Sequence, residues 1–479
     1  MFTRALRRRF PVLANRNFRL LLADRLLAPM AATFSLVGVS FAVLAATGST
    51  ADLSYVIAAQ AAPSLVFVLV GGVIADRVAP QLVIVAANVM VAVGEGLFGI
   101  LVLTSRPGIW VMVLLELLTG TGIALFYPAS MALLPRLVTA GQMREASAIS
   151  RLIMNAAMMA GAALAGECVA LFGAGWALAV CGVGMLGTVP LLLAIRVTPL
   201  ARSAAAAAGG EHAPSMLREL REGWSEFRSR TWLWATVLQY TVVLAAWCGG
   251  FQVLGPAVAR AHLGGPAAWG LISAAEATGL VVGGIVALRW APSRPTLFVV
   301  LTGGAIALSP LSLAMLLPLW VVCATSFALG VAIETLMVVW TVTMAANIPS
   351  DRLARVSAYD ALGSTMGMPV GALVAGPLAA RIGVSATQYG AAAITLVASA
   401  LALIPRDVRT MRSSGLVSAA PADPAAAELP VPGELPVPAV LPVPAVLPVP
   451  AVLPVPAVLT GAAVERMPAG VAMAEAPGR

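Results

Sequence analysis

Apolar residues in this chain come in long unbroken blocks. Twelve blocks stand out, at roughly 18–46, 52–75, 82–104, 108–133, 145–171, 175–197, 232–256, 266–289, 296–316, 318–345, 356–380 and 386–404. Each is long enough to cross a hydrocarbon core of ~30 Å, which takes about 20 helical residues. Lipid offers the backbone no hydrogen-bond partner, so each block is predicted to be a helix. A β-barrel would instead show short segments of alternating polarity. The breaks are short except at two places, which divides the chain into 1–197, a linker at 198–231, 232–405 and a tail at 406–479. The predicted fold is an all-α integral membrane protein of twelve transmembrane helices in two six-helix bundles.

The linker opens with flexible Ala/Gly sequence and then alternates apolar and charged residues at helical spacing. Met216, Leu217, Leu220, Trp224 and Phe227 can share one face, which predicts a helix lying on the membrane surface. The tail carries LPVP at Leu429, Leu435, Leu441, Leu447 and Leu453, a strict six-residue period. Proline this dense favours extended polyproline II, so the tail reads as disordered or as a ligand for a proline-recognition module.

Composition excludes a soluble domain: 60% of the 479 residues are hydrophobic and 10% charged, against ~25% charged in soluble proteins. Every one of the 29 basic residues is arginine, and their placement predicts orientation. Arg77, Arg136, Arg144, Arg289, Arg294, Arg352 and Arg406 fall on the side of the linker. Only Arg106, Arg260 and Arg381 fall in loops on the other side. By the positive-inside rule both termini are expected in the cytoplasm of a cell whose plasma membrane the chain crosses. The net charge of +8 is spread over short loops and gives no nucleic-acid signature. Cys168, Cys181, Cys248 and Cys323 all lie in apolar blocks, and His212 and His262 in expected loops, so neither a disulfide framework nor a metal site is expected.

The two halves repeat one another. Gly71-Gly-Val-Ile-Ala-Asp-Arg-Val-Ala-Pro80 matches Gly283-Gly-Ile-Val-Ala-Leu-Arg-Trp-Ala-Pro292 at an offset of 212. At an offset of 210, Gly120 pairs with Gly330, Ser147 with Ser357, Gly161 with Gly371, Gly166 with Gly376 and Gly173 with Gly383. Repeated six-span halves form a transporter architecture whose substrate site lies at their interface.

Over about residues 10–410 the chain resembles the major facilitator superfamily. Gly72-Val-Ile-Ala-Asp76-Arg77 matches the family's loop between spans two and three, although Ala79, Pro80 and Gln81 replace its usual basic end. The resemblance implies that Gly72, Asp76 and Arg77 latch the cytoplasmic gate, with Arg289 at the equivalent place in the second half and Asp360, near Arg355, as the expected neighbour. Gly120 fits the family's exporter motif, but Glu116 stands where that motif carries an arginine. Phe126-Tyr-Pro-Ala-Ser-Met-Ala-Leu-Leu-Pro-Arg and Ile348-Pro-Ser-Asp-Arg-Leu-Ala-Arg resemble the branch that holds macrolide-efflux and siderophore-exporter proteins. Gly161, Gly166, Gly371 and Gly376, with Pro369 and Pro377, resemble the glycine motif of exporters and imply close helix packing, bending at the gate, or both.

A charge inside the bilayer is costly, so each is a functional candidate. Asp24, Glu95, Glu116, Glu276 and Glu334, and beside them Glu167, are candidates for carrying a coupled proton. The alternative is a structural role, hydrogen-bonded to a neighbouring helix or paired with Arg25 or Arg151. Glu95 is flanked by Gly94 and Gly96, which is expected to leave open space at its carboxyl. Asp24 and Arg25 are adjacent and need separate partners. Gln60, Asn88, Asn155, Gln239, Trp247 and Trp340, with Gln252, are candidates for lining a central cavity or for tying helices together.

The chain carries no HExxH, GxSxG or P-loop, which argues against an intramembrane enzyme and against ATP-driven transport. The reading is therefore a monomeric secondary transporter without cofactor, its partners a small molecule, protons and the bilayer. Proton-coupled export of an amphipathic compound (drug, siderophore or secondary metabolite) is the expected activity. Uptake of a small solute, or a transporter-like sensor or scaffold, is the alternative.

Overall fold

The computed structural model describes residues 11–67, 79–196 and 216–412, and every regular element within them is a helix. Those at the expected spans are, in chain order, α1 (Arg16–Thr47), α2 (Thr50–Ala61), α3 (Pro80–Thr104), α4 (Ile109–Leu133), α5 (Met143–Phe172), α6 (Ala174–Leu193), α7 (Thr231–Leu263), α8 (Pro266–Arg289), α9 (Pro295–Ala314), α10 (Leu319–Asn347), α11 (Ser350–Ile382) and α12 (Val384–Ala402). Eleven of them are long and apolar enough to cross a membrane among the described residues. The exception is α2, whose expected span continues into residues outside those described.

These helices are apolar on nearly every face, as spans surrounded by lipid on one side and protein on the other must be. Large side chains such as Val183, Leu171 and Leu114 are left on the outer surface. Trp110 and Trp320, 210 residues apart, stand exposed at the starts of α4 and α10, where tryptophans anchor helices at the membrane interface. Caps fix the ends. The Asn15 side chain accepts from the backbone N–H of Asn17 at 2.9 Å, and Ser49 caps α2 by accepting from Asp52 N–H at 3.2 Å. Both supply partners to N–H groups that a helix start leaves open.

The repeat is visible in the packing. In the first half α1 packs on α5 and α6, α3 on α4 and α6, and α2 on α4. In the second half α7 packs on α11 and α12, α9 on α10 and α12, and α8 on α10. The halves meet through α5 against α8 and α2 against α11. The matched glycines occupy matched crossings. A Cβ on Gly161 would meet the Met30 backbone of α1, and one on Gly371 the Ala245 carbonyl of α7. A Cβ on Gly166 would meet Gly270 of α8, and one on Gly376 the Thr50 carbonyl of α2. Gly173 (φ 92, ψ 163) joins α5 to α6, and Gly383 (φ 90, ψ 155) joins α11 to α12, a backbone conformation open to glycine alone.

Three expectations need correction. The seventh span runs to Leu263, not 256, through π-helical turns at Cys248–Val253 and Ala259–Leu263. Arg260 and His262 therefore lie in a helix and not in a loop, and Arg260 reaches across to donate to the Leu44 carbonyl of α1. The eleventh span starts at Ser350, so Arg352 belongs to the helix. The linker helix (Met216–Ser229) packs its apolar face on protein and not only on the membrane surface. Phe227 is buried, its ring 5.7 Å from Trp224 and 6.0 Å from Tyr359 of α11. The side chains of Met216, Leu217 and Leu220 lie outside the described residues. Glu226 fastens the helix by accepting from Arg230 at 2.6 Å and from Arg352 at 2.7 Å, and Arg230 donates to the Asn347 carbonyl at 2.6 Å. Arg230 first, then Arg352, holds the Glu226 carboxyl below the ordinary carboxylate range.

Candidate functional site

The densest chemistry lies inside the first half. Glu95 on α3 and Glu116 on α4 are both fully buried, within electrostatic reach of each other and of the Cys181 thiol on α6. Ser35 of α1 donates to Glu95 Oε1 at 2.5 Å. Gln60 of α2 donates to Glu116 Oε2 at 2.7 Å. The second oxygen of each carboxyl, Glu95 Oε2 and Glu116 Oε1, is buried with no partner among the described residues. Five helices thus converge on two acids.

The sequence builds this site with small residues. Glu116 and Gly120 are one turn apart on one helix face. A Cβ on Gly120 would fall on the Gln60 carbonyl, so the glycine lets α2 approach α4 closely enough for Gln60 to reach Glu116. Of the glycines beside Glu95, Gly94 acts likewise, since a Cβ there would meet Thr119 of α4. A Cβ on Gly96 would meet nothing within 4 Å; Gly96 instead lets Gly182 of α6 approach, whose Cβ would meet the Gly96 Cα.

Two carboxylates with one neutral donor each, shut away from water, form an incomplete hydrogen-bond set. A proton on either one supplies a donor that the open oxygens lack. Two bare charges in a low-dielectric interior would repel each other without compensation.

The other acids have different surroundings. Asp24 is buried and faces Asn88 of α3 at 3.5 Å, and Asn88 in turn donates to Thr188 of α6 at 2.7 Å. Its neighbour Arg25 turns to a separate partner, Ser130 of α4, and lies 5.8 Å from the Phe126 ring. Glu334 on α10 is ion-paired with Arg151 on α5, a bridge between the halves. Glu276 on α8 is half-buried, with no hydrogen-bond partner among the described residues, and Gly330 of α10 packs on its carbonyl. Glu167 is exposed.

The polar cavity candidates divide in the same way. Asn88 and Gln239 are buried inside the bundles. Gln239 of α7 donates to the Val300 carbonyl of α9 at 3.1 Å and to Ser399 of α12 at 2.9 Å. That mirrors the Asp24–Asn88–Thr188 tie across α1, α3 and α6. Gln60 serves Glu116. Trp340 donates Nε1 to both oxygens of Asp360, at 3.2 and 3.1 Å, so Asp360 is engaged within the second half, beside a chamber of about 40 Å³ that Tyr240 and Thr236 also line. Trp247 stacks on Phe251 at 6.3 Å, and its Nε1 is buried without a partner among the described residues. Asn155 and Gln252 are half-buried. Of the gate residues, Gly72, Asp76 and Arg77 lie outside the described residues, as does the side chain of Arg355, and Arg289 is exposed at the end of α8.

Contacts between the halves gather at the face opposite the linker. Gly166 meets Gly270, Arg260 meets Leu44, and Ser54 accepts from the Gly376 N–H at 2.6 Å. Sequence reasoning did not single out Ser35, Ser54, Gly270 or Cys181. Each is a small residue in an apolar run, and only the helix crossing gives it meaning.

The fold is shared with known transporters. The chain is 22% identical over 346 residues to macrolide efflux protein A of Streptococcus pyogenes, covering 71% of this chain and 83% of that protein. Among solved structures, the nucleoside transporter NupG superposes with a TM-score of 0.64 at 11% identity, covering 80% of this chain and 99% of that one. An auto-inhibited peptide transporter of the POT family gives 0.62 at 13% identity, covering 83% and 98%. These likenesses show a common fold. The family model described as transmembrane secretion effector matches residues 8–434, and the chain belongs to that family of major facilitator transporters.

Proposed function

We propose that the protein is a proton-coupled exporter of small amphipathic molecules, working by alternating access with both termini in the cytoplasm. The observation that carries the coupling is the buried pair Glu95 and Glu116, each with one open oxygen. Export is supported by the family description and by the macrolide-efflux relative. Entry of a proton at the pair would complete its hydrogen bonds, relax the repulsion between the two carboxyls and change how α1 to α4 pack. Substrate held between the halves would feel that change through α2 and α5, the first-half helices that face the second. Asp24, Glu276 and Glu334 take supporting roles in this reading, in helix ties and at the interface. Gly72, Asp76 and Arg77 would hold the linker-side gate.

The test uses inverted vesicles energised to hold an interior-acid pH gradient. Addition of a macrolide should release protons through the wild-type protein. Glu95→Gln and Glu116→Gln should each abolish that release while the protein still binds the macrolide. Substrate-linked proton release retained in both variants would overturn the assignment. Comparison of metabolites inside and outside cells that have lost the protein then identifies the natural cargo.

A further inference from the structure

Along the outer surface of the second half, α11 and α12 part and leave a groove of about 980 Å³. Its floor is small residues of α7, among them Ala245, Ala246 and Gly249. Its walls are apolar side chains that face outward, such as Met366, Val370 and Ile394. From Tyr359 to Ile382 the groove follows α11 for roughly 35 Å at 1.5 Å per residue, the full height of the hydrocarbon core. Nothing in such a place is wet, and the side chains around it belong to the bilayer's interior.

One end breaks the apolar pattern. Arg228 of the linker helix lines the mouth. It is exposed, and it has neither a hydrogen bond nor an ion pair among the described residues. This sets it apart from Arg230 and Arg352, which Glu226 engages. Trp224, one turn before it on the same helix, and Trp234, near the start of α7, line the same groove, both exposed. A cation and tryptophans at the linker end of an apolar slot have the charge and polarity profile of a lipid seat.

We infer that this groove binds an anionic phospholipid of the linker-side leaflet, its phosphate on Arg228 and an acyl chain against Met366 and Val370. The occupant is a lipid and not a partner helix because the unpaired cation stands at the mouth, at headgroup depth, where a helix threading the apolar slot would bring nothing to neutralise it. Binding ties the linker helix to α11 and α12 through a third body, which adds to the Glu226 contacts and makes the second half sensitive to membrane composition. The inference does not depend on which ion drives transport or which way cargo moves.

The experiment is native mass spectrometry of the full chain released from bicelles holding equal phosphatidylglycerol and phosphatidylethanolamine. The wild type should retain phosphatidylglycerol in preference. Arg228→Gln should cut the retained ratio about fivefold, the worth of one arginine at a charged membrane surface. Gly390→Phe fills the slot from a position whose Cβ direction is open, and it should lose both lipids. Ile394→Trp serves as a second plug should Gly390→Phe not fold. An unchanged ratio in Arg228→Gln overturns the headgroup assignment. Full lipid retention in a folded plug variant overturns the groove itself.

Discussion

Replacing Gly166 by alanine asks whether backbone contact between α5 and α8 holds the two halves together at the face opposite the linker. A Cβ on Gly166 would stand 2.7 Å from the Gly270 Cα, 2.8 Å from the Pro266 carbonyl oxygen and 3.0 Å from the Gly270 nitrogen. The reverse change is as crowded, since a Cβ on Gly270 meets the Gly166 Cα at 2.7 Å and the Ala162 carbonyl at 2.8 Å. Ordinary carbon contacts need about 3.5–4.0 Å. All of the atoms met are backbone, so no side chain can swing aside, and the helices must separate by roughly 1 Å. Overpacking of this size costs ~1–3 kcal/mol.

Here the strain has an outlet, because the crossing lies between the halves and opening that end relieves it. A bias of ~1–3 kcal/mol moves a two-state equilibrium by about 5–150-fold. Cys168 reports the opening. It lies two residues beyond Gly166, half-buried against the apolar core that includes Trp269 and Phe251. With the other three cysteines replaced by serine, its maleimide labelling in detergent should quicken at least ~5-fold in Gly166→Ala. Gly187→Ala is the control, since a Cβ there meets nothing within 4 Å, and it should label at the starting rate. A Gly166→Ala protein that melts and labels like the wild type would refute the reasoning. The glycine pair would then be near contact without consequence.

Two further outcomes follow from the geometry. Arg230 and Arg352 depress the Glu226 carboxyl, so its contribution to linker docking is fully present above the free carboxylate range near ~4.3. It is lost only as pH falls through the lower folded value. The wild-type linker should therefore stay equally protected from protease at pH 7 and pH 5, while Glu226→Gln is cut faster at both. Gly173 and Gly383 share one backbone conformation, and a Cβ on either would meet nothing within 4 Å. Alanine at either should cost ~1–3 kcal/mol from backbone strain alone, lowering the melting temperature by similar amounts.

The fold was largely legible because lipid imposes a simple rule on sequence. Eleven of the twelve blocks became helices long enough to span, with ends usually within a few residues, and the glycine repeat pointed to the crossings that Gly161, Gly166, Gly371 and Gly376 occupy. What failed were features at the ends of spans. Apolar density falls off past residue 256, yet α7 continues to Leu263, because π-helical turns and the Arg260–Leu44 contact carry it onward. Among the intramembrane polar groups, residue type was readable and partnership was not. Glu95, Glu116 and Glu334 look alike as isolated acids in apolar runs. Only the packing gives the first a serine, the second a glutamine and the third an arginine from the other half. Asn88 and Gln239 were equally ambiguous, and both turned out to tie three helices of their own bundle.

The contrast between scaffold and chemistry in the two halves bears on how they divide the work. Helix contacts, interhelical polar ties, positive-φ glycines and interfacial tryptophans all recur in both halves. The acid pair does not. Residues 212 and 210 positions after Glu95 and Glu116 are Ala307 and Ser326, so the second half has no counterpart at this depth. Its acids Glu276, Glu334 and Asp360 are on α8, α10 and α11, with Glu334 committed to Arg151 across the divide and Asp360 to Trp340. A duplicated frame with the buried acid pair in one bundle makes the halves mechanically alike and energetically unlike. If the pair carries the coupled proton, protonation acts on the packing of one bundle alone, and the Arg151–Glu334 bridge is one of the polar links, with Arg260–Leu44 and Ser54–Gly376, placed to feel the two bundles move apart.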